Sequence, residues 1–157
     1  MQIRIFSIGK VKAEFVKAGE SEYLKRLGNS GWKLERIELD AKTVSGKQTA
    51  TAQKKEADRL LAKVRTGELL VVLDERGRQM TSEKLAHWLQ GHADSGVKSL
   101  AFAIGGAYGW HPDVYQRAEL KLSLSELTFP YQLTRLILVE QLYRAHTINQ
   151  GSPYHKA

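Results

Sequence analysis

The first eight residues, MQIRIFSI, alternate apolar and polar side chains with branched residues among them, and Gly9 follows. A period of two predicts a strand over Met1 to Ile8 that the glycine ends. From Ala13 to Leu27 the apolar residues Phe15, Val16, Ala18, Tyr23, Leu24 and Leu27 recur among charges. That spacing predicts an amphipathic helix with Gly28 as its stop. Lys33 to Leu39 alternates again, as a second strand, and Ala41 to Thr51 with Gly46 reads as a polar loop. Gln53 to Arg65 predicts a helix that turns Leu60, Leu61 and Val64 inward. Its Lys54, Lys55, Arg59, Lys63 and Arg65 are left outside, where a solvated helix face is the simpler reading and an RNA contact the other.

Glu68 to Asp74 holds the continuous run Leu69-Leu70-Val71-Val72-Leu73. Its length and branching suit a strand covered on both faces, as in a parallel sheet. Asp74 to Met80 reads as a turn around Gly77. Thr81 or Ser82 caps the next helix, which carries Leu85, Ala86, Trp88 and Leu89 on its inner side. Leu100 to Ile104 is another buried strand, Pro112 to Ala118 a short helix, Leu120 to Leu124 a fifth strand and Tyr131 to Thr147 the last helix. Strands and helices alternate throughout, so the pattern predicts an α/β fold: a mostly parallel sheet flanked by helices with right-handed crossovers. A chain of 157 residues is expected to form a single domain over 1–157.

Composition narrows the partners. The 24 Lys and Arg against 17 Asp and Glu give a net charge of +7, which favours an anionic partner. There is no cysteine, which excludes disulfides and thiolate zinc sites. The first ten residues hold Arg4 and too short an apolar run for a signal peptide, and no stretch approaches the roughly 18 to 20 apolar residues of a membrane span. A cytoplasmic protein without a membrane partner is expected. His87 and His92 stand five apart, off the spacing of helical metal pairs, so no metal is expected either.

Candidate chemistry collects near the C-terminus. Gly105-Gly106-Ala107-Tyr108-Gly109 leaves a buried strand directly, and glycines there let a ligand approach the backbone. It lacks both dinucleotide and phosphate-loop spacing, so a structural turn explains it as well as a cofactor pocket does. Leu73-Asp74 and the segment Ser125 to Pro130 leave two further strands and can share one pocket with it. Taken singly, Asp74 reads as a turn residue, and Ser125 and Thr128 as a capping cluster before Pro130. The last helix places Leu133, Leu136, Ile137, Leu138, Val139, Leu142 and Tyr143 on nearly every side, which calls for either a homodimer interface or a deeply central helix. Arg135 on such a helix is a candidate for a carboxylate or phosphate contact. Glu140 and Arg144 stand at i, i+4, and the tail Ser152-Pro153-Tyr154-His155-Lys156 combines an aromatic ring, a proton acceptor and a cation.

Together Leu73-Asp74, Gly105-Gly106-x-x-Gly109, Ser123-Leu124-Ser125-x-Leu127-Thr128, Leu142-Tyr143-Arg144-Ala145 and Pro153-Tyr154-His155 resemble the RlmH family over essentially the whole chain. These are small bacterial SPOUT methyltransferases of large-subunit ribosomal RNA. The resemblance implies a C-terminal trefoil knot, a homodimer formed around it, and S-adenosyl-L-methionine bound there. It implies transfer of a methyl group to N3 of a pseudouridine in 23S rRNA within the assembled ribosome. By position, Leu73, Gly106 and Ser125, Glu126, Leu127, Thr128, Phe129 and Pro130 would contact the cofactor, and we add Gly105 beside them. His155 is then expected to take or relay the N3 proton, Tyr154 to pack on base or cofactor, and Arg144 to hold substrate phosphate or the tail. Lys156 stands where the family usually has arginine, which leaves the role of that position open. The competing expectations are a SPOUT methyltransferase with another RNA target, and a non-catalytic ribosome-binding factor that kept the fold.

Overall fold

The computed structural model describes residues 1–28, 30–40, 50–106 and 108–155. Most of the loop expected over Ala41 to Thr51, with Gly46, therefore lies outside the described residues, as do Ala107 and Lys156. In chain order the elements are β1 (Gln2–Ile8), α1 (Glu14–Leu27), β2 (Lys33–Leu39), α2 (Ala50–Lys63), β3 (Leu69–Gln79), α3 (Ser82–Asp94), β4 (Ser99–Ile104), α4 (Pro112–Arg117), β5 (Leu120–Ser123) and α5 (Tyr131–Asn149). All strand pairs are parallel, in the order β2-β1-β4-β3-β5.

The strands' period of two sorts the core into two layers. Ile3 and Ile5 of β1, Val71 of β3 and Leu100, Phe102 and Ile104 of β4 face one way, against Leu85, Ala86 and Leu89 of α3 and Leu138, Val139, Leu142 and Ala145 of α5. Phe6, Ile8, Leu70, Val72, Ala101 and Ala103 face the other way, against Ala57 and Leu60 of α2 and Val114 of α4. Both faces of β3 and β4 are covered, which is why Leu69 to Leu73 and Leu100 to Ile104 are continuous apolar runs.

Phe15, one of the apolar residues that give α1 its period, is 64% exposed, and α1 buries Val16, Glu20 and Leu27. Two expectations need correction. The stretch after Asp74 is not a simple turn. β3 continues to Gln79, pairing Leu73 with Leu122, bulging over the next residues, and pairing again at Arg78 with Leu122 and Gln79 with Ser123. Gly77 makes the return possible, because a Cβ there would lie 2.7 Å from the Lys121 carbonyl oxygen. Helix α2 begins at Ala50, inside the stretch expected as loop.

Helix α5 explains its own composition. Arg135, Leu138, Val139, Leu142, Ala145 and Thr147 are buried, and no residue from Tyr131 to Asn149 is fully exposed. It packs between α1 and α3 and over β1 and β4, so of the two readings of its apolar surface the central helix accounts for most of it.

Candidate functional site

The helices after β3 and β4 leave toward opposite faces, α3 in one layer and α4 in the other. Their connections therefore diverge at the carboxyl edge and open a crevice, the usual place for a ligand in an open α/β sheet. A cavity of about 720 Å³ lies there. It is lined by Leu73 to Arg76 from β3, by Ile104, Gly105, Gly106, Tyr108 and Gly109 after β4, and by Leu124, Ser125 and Leu127 to Tyr131 with Thr134 after β5. Such a volume suits a nucleoside-sized ligand. Of the expected cofactor contacts, Leu73, Gly105, Gly106, Ser125, Leu127, Thr128, Phe129 and Pro130 line this one cavity; Glu126 does not.

The two adjacent glycines differ in cause. A Cβ on Gly105 would come within 3.1 Å of the Trp110 indole nitrogen, so packing inside the chain already crowds a side chain there. On Gly106 it would meet nothing closer than Ile8 Cγ2 at 3.9 Å. Among the described residues nothing requires the missing side chain, and Gly106 lines the cavity. That is the fit expected where a ligand approaches the backbone.

Short-range hydrogen bonds hold the loops. Ser125 Oγ accepts from the Leu127 backbone N–H at 3.0 Å, and Ser123 Oγ donates to the Ser125 carbonyl at 2.9 Å. Thr128 Oγ1 donates to Glu75 Oε2 at 2.5 Å, linking the β5 loop to the β3 bulge. The Asp74 carboxylate accepts from the Tyr115 hydroxyl at 2.6 Å and the Arg76 backbone N–H at 2.9 Å. Burial alone would raise Asp74, but these donors outweigh it and hold the carboxyl below its ordinary range. Burial, and then the same carboxylate, push the Tyr115 phenol up.

The first turn of α5 carries the cavity wall and is anchored to the β1–α1 connection. Gln132 Oε1 accepts from the N–H groups of Lys12 and Ala13 at 2.8 and 2.9 Å, and the Tyr131 hydroxyl donates to the Lys10 carbonyl at 2.7 Å. One turn on, Arg135 is 3% exposed and meets Glu20 through Nε at 2.5 Å and Nη2 at 2.9 Å, with Glu38 at 3.1 Å and Ser7 Oγ at 3.3 Å. The carboxylate contact expected of Arg135 is thus internal, and the residue is not available to a phosphate. Glu20 was missed in the sequence; a buried acid on an amphipathic helix shows no local signal until its partner is known.

Arg144, Tyr154 and His155 also meet, but elsewhere. Arg144 donates to Glu140 from Nε at 3.0 Å and Nη2 at 2.5 Å, and its guanidinium lies 4.9 Å from the Tyr154 ring centre. The Tyr154 ring packs edge-on to Tyr143 at 4.7 Å, and its hydroxyl donates to Glu140 at 3.1 Å. His155 Nε2 lies 2.7 Å from Glu83 Oε1 and Nδ1 3.4 Å from Arg144 Nη1. Arg144 thus contacts the tail through both Tyr154 and His155. The Glu83 carboxyl is drawn down to about 2 by its own backbone N–H at the start of α3, then by the Thr81 hydroxyl and His155. With Glu83 ionised, the proton of a neutral His155 sits on Nε2, leaving Nδ1 as the accepting nitrogen. Burial, Tyr23 and Glu140 raise the Tyr154 phenol, so it stays protonated at neutral pH. None of the three residues lines the cavity.

A parallel sheet flanked by helices, with a cavity at its carboxyl edge, defines an α/β protein of the open-sheet class. Residues 1–155 match the family model described as "Predicted SPOUT methyltransferase". The chain is 44% identical over 160 residues to "Ribosomal RNA large subunit methyltransferase H" of Acetivibrio thermocellus, covering 99% of this chain and 100% of that protein. Proteins of the same name from Lactococcus lactis subsp. cremoris and Latilactobacillus sakei subsp. sakei are 41% and 44% identical over the same shares. The chain belongs to the SPOUT methyltransferase family. Among the described residues no helix is long and apolar enough to cross a membrane, and no group of three or more His, Asp or Glu is disposed to hold a metal.

Proposed function

We propose that this chain is a single methyltransferase domain that methylates large-subunit ribosomal RNA at N3 of a pseudouridine in the ribosome, using S-adenosyl-L-methionine. The observation that carries the reading is the cavity at the strand ends, whose open floor at Gly106 nothing among the described residues explains. Full-length identity to relatives named for this class of reaction supports it, as does the net charge of +7, which suits an RNA partner.

In this reading Leu73, Gly105, Gly106 and the segment Ser125 to Pro130 cradle the cofactor, mostly through backbone groups. When bound, that cofactor supplies an electrophilic methyl group on a sulfonium. The protein's part is alignment and management of one proton. Ser125, Thr128 and Glu75 keep the β5 loop in place, and Gln132 fixes the first turn of α5 against the β1–α1 connection. His155 accepts the N3 proton at Nδ1 once Arg144 gives up that nitrogen, while Glu83 steadies the imidazolium. Tyr154, held protonated, packs and donates rather than accepting the proton. The pairing of one chain's cavity with a tail cluster outside it fits a homodimer, with the C-terminal knot the family implies.

Calorimetric titration with S-adenosylmethionine and S-adenosylhomocysteine, followed by methylation of ribosomes containing or lacking the pseudouridine, tests this. Binding by both ligands and methylation only of the pseudouridine-containing ribosomes are expected. Cofactor binding with methylation of a different nucleoside would move the reading to another RNA target. A folded protein that associates with ribosomes but binds neither ligand, with or without them, would replace it with a non-catalytic ribosome-binding factor.

A further inference from the structure

Among the described residues, three large apolar side chains are left exposed: Phe15 at 64%, Tyr108 at 68% and Leu127 at 70%. Tyr108 and Leu127 both line the cavity described above. They stand on the loops after β4 and β5, the strands that flank β3 on its two sides. Tyr108 is not at the tip of a free arm. Its carbonyl accepts from the Gln53 side-chain amide at 3.0 Å, and the next residue, Gly109, donates to the Gly106 carbonyl at 3.1 Å. Gly109 has φ 71°, and a Cβ there would come 3.1 Å from the Tyr115 hydroxyl, so the turn is held from behind. The ring it carries has no hydrogen-bond or ring partner among the described residues. Between the two loops the β3 bulge presents Arg76, whose side chain is 76% exposed and paired with Asp74 at 3.3 Å.

We propose that Tyr108 is a stacking platform for the target nucleobase, with Leu127 closing on the opposite face of the base at the cavity mouth. This rests on the methyl-transfer reading above. A base that is to meet a methyl donor must leave its own stack, and it loses its neighbours' faces in doing so. A rigidly carried aromatic ring replaces one of those faces at little ordering cost and tolerates any base. The chain's net charge of +7 favours a nucleotide, whose planar part is joined to an anionic backbone, over an apolar peptide.

The experiment compares Tyr108→Ala, Tyr108→Phe and Tyr108→Trp with the unaltered protein. Cofactor affinity is read by calorimetry, self-association by sedimentation, and initial rates with ribosomes that lack the methyl group. Loss of stacking in Tyr108→Ala is expected to raise KM for ribosomes about tenfold or more while cofactor affinity and self-association stay within about twofold. Phe and Trp, which keep the ring, restore the original KM. An unchanged KM in Tyr108→Ala overturns the proposal. So does an equal loss of cofactor affinity, which would make the ring a cofactor contact, or weakened self-association, which would place it between two copies of the chain. If the unaltered protein binds cofactor but methylates no RNA, the functional reading fails first and this inference with it.

Discussion

Glu83 fastens the tail to α3 through His155, and its carboxyl titrates near 2 instead of the ordinary 4.5. A depressed carboxyl means that the folded protein binds that proton less readily than the unfolded chain. Its contribution to stability is therefore complete above about 4.5 and disappears as pH falls through about 2. In urea unfolding followed across this window, Glu83→Gln should be less stable than the parent at neutral pH, and the gap should close toward the acid end. His155→Ala should abolish methyl transfer while calorimetry shows cofactor affinity nearly unchanged; normal turnover would remove His155 from the mechanism. At this scale the sequence brought Arg144, Tyr154 and His155 forward together, and the three side chains do meet in the structure. It was silent where a role depends on a distant partner: Glu20 is separated from Arg135 by 115 positions, and neither residue's neighbours reveal the pair.

At the scale of elements, that pair clamps α1 to α5, and α5 in turn carries the cavity wall. Glu20 is fully buried, so Glu20→Ala leaves the Arg135 charge with Glu38 alone. A loss of about 3 kcal/mol or more is expected in denaturant unfolding. The return of β3 to β5 depends on Gly77, where an alanine methyl would press on the backbone of Lys121 and Leu122. Gly77→Ala should cost about 1–3 kcal/mol and, by hydrogen exchange, loosen β5 before the central strands. The apolar strands were readable because burial on both faces leaves a continuous hydrophobic run, and α5 was readable as a helix from the same rule. The extension of β3 was not. Its residues Glu75, Arg76, Arg78 and Gln79 are polar, since the bulge lies at the edge of the sheet, and only the backbone pairing to β5 makes part of it strand.

Over the whole molecule, the cavity and the tail occupy separate regions. Tyr131 lines the cavity, and Arg144 lies thirteen residues further along α5, about 20 Å down the helix axis. The sequence brought both regions forward as candidates but could not show this distance, because short spacing along a chain says nothing about which end of a long helix faces the ligand. The separation means that a lesion in one region should leave the other intact in the same polypeptide. Gly106→Leu blocks the cavity floor with room for the backbone to fold, and His155→Ala disables only the tail. Co-expressed and assayed together, the two inactive variants should recover part of the original methylation if the tail of one chain serves the cavity of another. Failure to recover any would show that each chain's tail must travel to its own cavity. With recovery, activity would belong to the pairing of two genes' products and to neither product alone.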